Sequence, residues 1–428
     1  MKFATTRGRV LIRSVRAWVE IGLDEFLFCL LRQAGKALAV RRGPHVDGPT
    51  VLVAPPGGGN IGDQALVDSC VDNIPGRLTI IVNRNDSYDS ARWARDRVQI
   101  LVLPDLIYGH GPEHLVAMYR FFEYARRAGA VVVIGADIMD GKYNVVASYR
   151  RAGLVWAYST SACKTRVLGF SWNGQAEAVC RWALRRATNR GAVLMVRDPA
   201  SQRRALADRI PVVQVADVVF AGSPKSLPDV RVREIRELLA GRPYVLVNAS
   251  GLVGQGYDQR NDYELLLRTL TDAGLTPVLL PHVIRGSGDD LRELRLINDA
   301  SDVKGTILIS ELLRPPDIEN LCSGAKFVVA GRMHLAVLAL KQGVPPIVVS
   351  TQGKVEGLLE MFNLGYCLVE PGDGMGRAMA RAVDSLVSLN GATVVDSASL
   401  DAVRTLANAN FAPESWSSSS RADQAVGR

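Results

Sequence analysis

Short apolar, β-branched runs alternate with stretches of helical periodicity along most of this chain, and that alternation limits its fold more than any other feature. Residues 51–54, 78–82, 99–103, 130–135, 165–170 and 192–196 read as strands. Helices are expected between them, over about 63–73, 114–128 and 176–188. The pattern breaks at Gly222-Ser-Pro-Lys-Ser-Leu-Pro228, a connection by its composition, and restarts with strands at 244–248, 276–280, 306–309, 326–330 and 346–349. Uninterrupted apolar strands joined by helices belong to parallel sheets covered on both faces. The expected class is therefore α/β: two Rossmann-like parallel-sheet domains facing a cleft, with ligands at the carboxyl ends of the strands. At 428 residues the chain exceeds one ordinary core. Its expected parts are an N-terminal extension (1–45), a first domain (46–222), a second (223–375), C-terminal helices (376–412) and a polar, disordered tail (413–428).

The stretch from Ala325 to Gly343 carries the most chemistry for its length. It passes from a strand through Gly331 into a helix that stops at Gly343, with Pro345 beyond. Arg332 and His334 therefore stand at a helix start, where free backbone N–H groups and the helix dipole favour an anion. Arg332 adds a planar cation suited to carboxylate or phosphate. His334 adds a side chain that exchanges a proton near neutral pH. A capping arginine and a hydrogen-bonded histidine are the plainer reading.

Other loops follow strands in the same manner. Pro55-Pro-Gly-Gly-Gly-Asn-Ile-Gly-Asp63 lets backbone approach a polar ligand and offers Asn60 and Asp63 at a helix entry, where Asp63 is also a candidate N-cap. It lacks the Gly-Lys-Ser/Thr of a phosphate-binding P-loop. Asp137 and Asp140 are spaced for a general base or a helix cap, and Arg197 points from another strand end. In the second half, Ser250 and Gly251, then His282, then Lys354 occupy equivalent loops, so Lys354 could share a pocket with Arg332.

The formal net charge of +8 points to acidic partners, and its excess is concentrated at one end. Residues 1–43 carry nine Lys or Arg against Glu20, Asp24 and Glu25, interleaved with apolar residues at helical spacing. The acids interrupt the apolar run before it reaches the ~20 residues of a membrane span. No small-residue cleavage site follows a clean apolar core, as a signal peptide requires. Two readings stay open: a basic amphipathic helix lying on an anionic leaflet, or a helix packed on the first domain. A nucleic-acid partner is not expected, because the charge alternates with a bulky apolar face. Six dispersed cysteines indicate neither a zinc knuckle nor a disulfide framework, and a reducing cytoplasm is the expected compartment, with peripheral contact at the inner face of the plasma membrane as an extension.

Gly59-Asn-Ile-Gly-Asp63, Arg197-Asp198 with Ser201, Pro281-His282, Glu311-Leu312, Gly331-Arg-Met-His334 and Gly353-Lys-Val-Glu-Gly-Leu358 together resemble the polysaccharide pyruvyl transferases in order and spacing. The resemblance covers roughly residues 50–370. It implies a two-domain fold like that of the GT-B glycosyltransferases, phosphoenolpyruvate as donor, and a sugar of a cell-surface glycan or lipid-linked saccharide as acceptor. On that basis the donor side takes Arg332, His334, Lys354, Ser250, Gly251 and His282. The acceptor side takes Asn60, Asp63, Asp137, Asp140 and Arg197. His334 is the candidate acid, Arg332 the clamp, and Asp63 heads the candidate bases with Asp137 and Asp140. Phosphoenolpyruvate serves as co-substrate; no cofactor and no metal is expected, and a homo-oligomer is compatible with the sequence. Two departures stand out: Gly135-Ala-Asp137 replaces a glycine triplet common in the family, and Thr351-Gln-Gly-Lys354 replaces an aromatic-Ser-Gly-Lys run. A nucleotide-sugar glycosyltransferase and a non-catalytic glycan-binding module are the rival readings.

Overall fold

The computed structural model describes residues 16–34, 48–159, 163–222, 230–286, 288–350, 354–389 and 395–412. The expected polar tail (413–428) and most of the Gly222–Pro228 connection lie outside them. The chain forms two compact units: the first takes the described residues up to Pro56, then Val71–Val215 and the segment from Asn410, and the second takes Gly57–Cys70 and Ala216–Ala409.

In the first unit a helix over residues 16–34 (α1) precedes β1 (Thr50–Val53). Helix α2 (Ile61–Asn73) begins in the second unit and ends in the first. There follow β2 (Leu78–Val82), β3 (Val98–Val102), α3 (Gly111–Ala125), β4 (Ala130–Ile134), α4 (Val145–Tyr158) and β5 (Lys164–Phe170). The unit closes with α5 (Ala178–Thr188), β6 (Val193–Val196), α6 (Pro199–Ala207) and β7 (Val213–Gln214). The strand order is β3-β2-β1-β4-β5-β6-β7, and the pairs are parallel. Strands β1, β2 and β4 are buried along their whole length, as a sheet covered on both faces requires.

In the second unit a short 3₁₀ turn (Val218–Ala221) leads to α7 (Val230–Leu239), β8 (Tyr244–Asn248), α8 (Gly251–Gly254), α9 (Arg260–Asp272) and β9 (Thr276–Leu279). Then come α10 (Asp290–Ala300), β10 (Ile307–Leu308), α11 (Pro315–Cys322), β11 (Val328–Ala330), α12 (Met333–Lys341) and β12 (Pro346–Val349). The last elements are α13 (Glu356–Glu360), β13 (Leu368–Val369), α14 (Met375–Ser388) and α15 (Ser397–Asn408). The sheet runs β10-β9-β8-β11-β12-β13, again parallel. Both sheets thus begin at the middle, grow to one side and restart on the other, which is the Rossmann order with its switch point beside the first strand. The expected α/β class with two Rossmann-like sheets holds. Strands β7 and β13, each of two residues, were too short to stand out in the sequence, and the helix expected over 114–128 begins three residues earlier.

Helix α1 packs on the first unit. Phe28 is fully buried against Gly153 of α4, where an added Cβ would come within 2.1 Å of the Phe28 ring. Asp24 is buried with Arg150 at 2.7 Å and His114 at 2.9 Å, and Arg32 donates to the Trp156 carbonyl. Of the two readings of the N-terminal segment, the described part shows the packed one. Among the described residues no helix is long and apolar enough to cross a membrane.

Candidate functional site

The strand–turn–helix read from Ala325 to Gly343 forms as β11 and α12. Gly331 is needed at the turn for space: a Cβ there would lie 2.6 Å from the Ser250 backbone nitrogen and 2.9 Å from the Asn248 carbonyl oxygen. The loops after β8 and β11 therefore touch at backbone level. Gly343 closes the helix at φ +75°, a conformation glycine adopts without cost.

Arg332 takes the N-cap position of α12 with extended backbone, so its side chain turns sideways instead of capping. It meets Asp290, the first residue of α10, whose carboxylate is completely buried. Nε donates to Asp290 Oδ1 at 3.0 Å, Nη2 donates to the same oxygen at 2.7 Å, and Nη2 also donates to the Gly288 carbonyl at 2.6 Å. The Asp290 carboxylate collects further donors: the Gly251 N–H at 2.9 Å, the His282 and Val283 N–H groups at 3.2 and 2.9 Å, and Asn248 Nδ2 at 3.2 Å. One buried anion thus ties the ends of β8, β9 and β11 together and fixes the guanidinium. Its Nη1 edge makes no hydrogen bond among the described residues and stays available for an anionic ligand.

His334 is the second residue of α12, in its first turn, and is mostly buried. Its Nε2 sits 3.6 Å from Asp217 Oδ2, close enough for charge attraction and too far for a hydrogen bond. Asp217 is held in turn by the Val219 N–H at 3.0 Å, as the cap of the 3₁₀ turn. On the other side of the ring stands Gly62, where a Cβ would fall 2.4 Å from His334 Nδ1. The glycine loop and the imidazole are thus in van der Waals contact, and any larger residue at 62 displaces the ring.

That loop belongs to the second unit and is laced to it. Asn60 bridges Val283 in antiparallel fashion, the Ile61 N–H donates to the His282 carbonyl at 3.1 Å, and the Ile284 N–H donates to the Gly59 carbonyl at 2.9 Å. Three successive left-handed residues, Gly57, Gly58 and Gly59, make the turn, which explains the glycine triplet. Asn60 Oδ1 accepts the Gly62 N–H at 3.0 Å and is the cap of α2. Asp63, expected as a cap, sits inside the first turn, and its carboxylate reaches back to the Gly57 N–H at 3.0 Å. The reason is helix start: α2 begins at Ile61, two residues before the position read from the sequence.

His282 is 1 % exposed, and neither ring nitrogen has a hydrogen-bond partner among the described residues. Burial first, and then the charge interactions with His334 and Arg332, push its imidazole well below the ordinary value of 6.5. A neutral ring next to an arginine can accept a hydrogen bond without adding charge. Ser250 is buried, its hydroxyl accepting the Leu252 N–H, and Gly251 has no room for a side chain against the Asp289 carbonyl. Lys354 is buried in the same unit, past the carboxyl end of β12.

The second unit therefore brings together Asn60, Asp63, Ser250, Gly251, His282, Arg332 and His334, and it also contains Lys354. Asp137, Asp140 and Arg197 belong to the first unit. Asp137 accepts a hydrogen bond from the Tyr143 hydroxyl, and Asp140 is fully buried with its Oδ1 on the Lys142 N–H. Arg197 is buried, with Nε on Ser171 Oγ at 2.8 Å, and Asp198 caps α6 through the Ser201 N–H. Burial pushes the Asp198 carboxyl above its ordinary value in spite of the Ser201 bonds. Ala136, one of the departures from the resembled pattern, has φ +43°, so the backbone there keeps the left-handed turn that a glycine would favour.

Sequence reasoning missed Asp217 and Asp290. Asp290 had a signal: two acids in succession open α10, Asp289 takes the cap with the Arg292 N–H, and the next residue then faces inward. Asp217 had only its position before an apolar run.

Two parallel-sheet α/β domains with this strand order define a GT-B-like fold, and comparison with solved structures agrees. A candidate UDP-N-acetylglucosamine 2-epimerase from Listeria monocytogenes superposes with TM-score 0.56 at 12 % identity, covering 85 % of this chain and 92 % of its own. A glycosyltransferase from Rickettsia africae superposes at 0.53 and 13 % identity, covering 86 % and 96 %. The sucrose-phosphate synthase of Thermosynechococcus elongatus matches at 0.53 and 13 %, with 86 % and 96 % covered. At such identities the likeness is one of fold. Comparison with curated proteins returns no match. Over residues 60–353, more than half of the chain, the sequence matches the model of the polysaccharide pyruvyl transferase family, and the chain belongs to that family.

Proposed function

We propose that the protein transfers the pyruvyl group of phosphoenolpyruvate to two hydroxyls of a sugar in a cell-surface glycan or glycolipid, forming a ketal and releasing phosphate. The observation that carries this reading is the arrangement around α12: a guanidinium fixed by Asp290 with one edge unused, beside an imidazole pressed against the glycine loop. Phosphoenolpyruvate carries a carboxylate and a phosphate. The Nη1 edge of Arg332 and the N–H groups at the start of α12 suit such an anion, with Lys354 as a further cation of the same unit.

In the proposed chemistry His334 gives its proton to the methylene carbon of the enol ester, which becomes a methyl group. A sugar hydroxyl bonds to the adjacent carbon and loses its proton to a base, for which Asp63 is the candidate in this unit. The C–O bond to phosphate breaks, phosphate leaves with the bonding electron pair, and a second hydroxyl bonds to the same carbon and passes its proton to the departing phosphate, which closes the ketal. Asp217, at 3.6 Å from Nε2, is a positioning residue that stands behind the ring. His282, kept neutral, accepts a hydrogen bond without competing for the donor's charge.

The test is an incubation of the purified protein with phosphoenolpyruvate and a glycolipid extract, followed by phosphate measurement and mass analysis of the acceptor. Phosphate release with the mass of a pyruvate ketal is expected. Turnover only with a nucleotide sugar, releasing nucleoside diphosphate, overturns the reading; no turnover with any acceptor points instead to a glycan-binding module.

A further inference from the structure

Helix α1 has two faces of different fate. Ile21, Asp24, Phe28 and Arg32 fall within one narrow arc and are buried in the first unit. Trp18, Val19, Leu23, Phe26 and Leu30 fall within an arc of about 140° on the other side, at 100° per residue. All five are exposed, Trp18 by 62 % and Phe26 by 64 %. Such a concentration of bulky apolar residues on the outside of a helix is not what its own fold needs. Helix α3 runs alongside, linked through His110–Glu20 and His114–Asp24, and it leaves Val116 and Tyr119 exposed as well.

Charge decides the partner. The three acids of α1 are all paired with arginines: Glu20 with Arg16, Asp24 with Arg150 and Glu25 with Arg186. The sequence on either side of the helix supplies cations without acids, with Lys2, Arg7, Arg9 and Arg13 before it and Lys36, Arg41 and Arg42 after it. A second copy of this chain would bring the same positive excess to the contact and be repelled. An apolar helix face with aromatic anchors, flanked by lysine and arginine, fits an anionic lipid interface.

We propose that the outer face of α1 docks the protein on an anionic lipid bilayer, the helix lying in the plane of the interface while its inner face stays bound to the first unit. The docking needs no rearrangement, since the inner face is already packed.

The test uses the full chain and vesicles, with no dependence on turnover. Co-sedimentation with vesicles containing phosphatidylglycerol is expected, with binding at least about tenfold weaker to pure phosphatidylcholine and weakened by added salt. The double variant L23S/F26S should bind at least about tenfold less while unfolding at the wild-type temperature, because both side chains are exposed. The salt arm uses the wild-type chain and needs no variant. Binding to neither vesicle, equal binding to both, or wild-type binding by a folded double variant overturns the proposal. So does a concentration-dependent dimer that the double variant abolishes, which would assign this face to a second copy.

Discussion

Each unit places an arginine just past a strand end, and the two are held in different company. Arg197, after β6, donates to Ser171 Oγ, beside an Asp198 carboxylate that receives both the N–H and the hydroxyl of Ser201. Arg332, after β11, is anchored on one edge by Asp290, while its Nη1 edge, the His282 ring nitrogens and His334 Nε2 lack hydrogen bonds among the described residues. Buried polar atoms are nearly always paired, because an unpaired one costs about 1–3 kcal/mol. The buried orphans beside Arg332 are the His282 ring nitrogens and His334 Nε2, and in the proposed function the donor would supply their partners. The caps and hydroxyl bonds around the other are what a structural latch looks like. The same strand-end geometry holds one arginine in a hydroxyl and cap network and leaves the other beside unpaired buried nitrogens.

The sharpest way to break this contrast is His334→Ala. Loss of a general acid removes about 10²- to 10⁴-fold in kcat, while phosphoenolpyruvate binding by calorimetry should persist through Arg332. Equal turnover by the variant would sink the assignment. Asp290→Ala strips the counter-charge from Arg332 and the shared acceptor from three loops. A loss of about 3–5 kcal/mol in denaturant unfolding is expected, as for breaking any buried pair. Gly62→Ala pushes a methyl group into His334; a fall in kcat of up to about 10²-fold with donor affinity changed little would show that the loop sets the ring's position. A stable, fully active variant would mean that the loop yields.

His282 gives a smaller, pH-dependent effect. Its folded-state value lies well below the ordinary one, so below about pH 6.5 the unfolded chain binds a proton that the folded chain refuses. Stability is therefore complete above that pH and falls as the pH drops, by at most about 1.4 kcal/mol per pH unit for this group. In His282→Gln that part of the acid sensitivity should vanish, so the variant gains on the wild type between pH 7 and 5; parallel curves would show that the ring is charged in the fold. The smallest effect belongs to the first unit: Ser171→Ala, which unpairs Arg197 Nε, should cost about 1 kcal/mol of stability.

The fold was legible because its signal is local. A strand of a covered parallel sheet is apolar end to end, and a helix carries its own period, so the sheets could be read without knowing their strand order. The exceptions are β7 and β13, edge strands of two residues, which leave no period to read. Arg332, His334 and the glycine loop were legible for a similar reason, since a helix start after a strand is written in consecutive residues. Asp217 and Asp290 were not, because what makes each of them matter is a partner 117 and 42 residues away.

Sequence alone thus determined the class of the two sheets, the strand-end loops that form the candidate site, and an amphipathic first helix set between basic segments. Tertiary structure alone decided that the glycine loop of the N-terminal half packs against His334, that Asp290 pins Arg332, and that α1 keeps one apolar face outside. Periodicity reports which way a side chain points relative to its own element, and only packing reports what stands opposite.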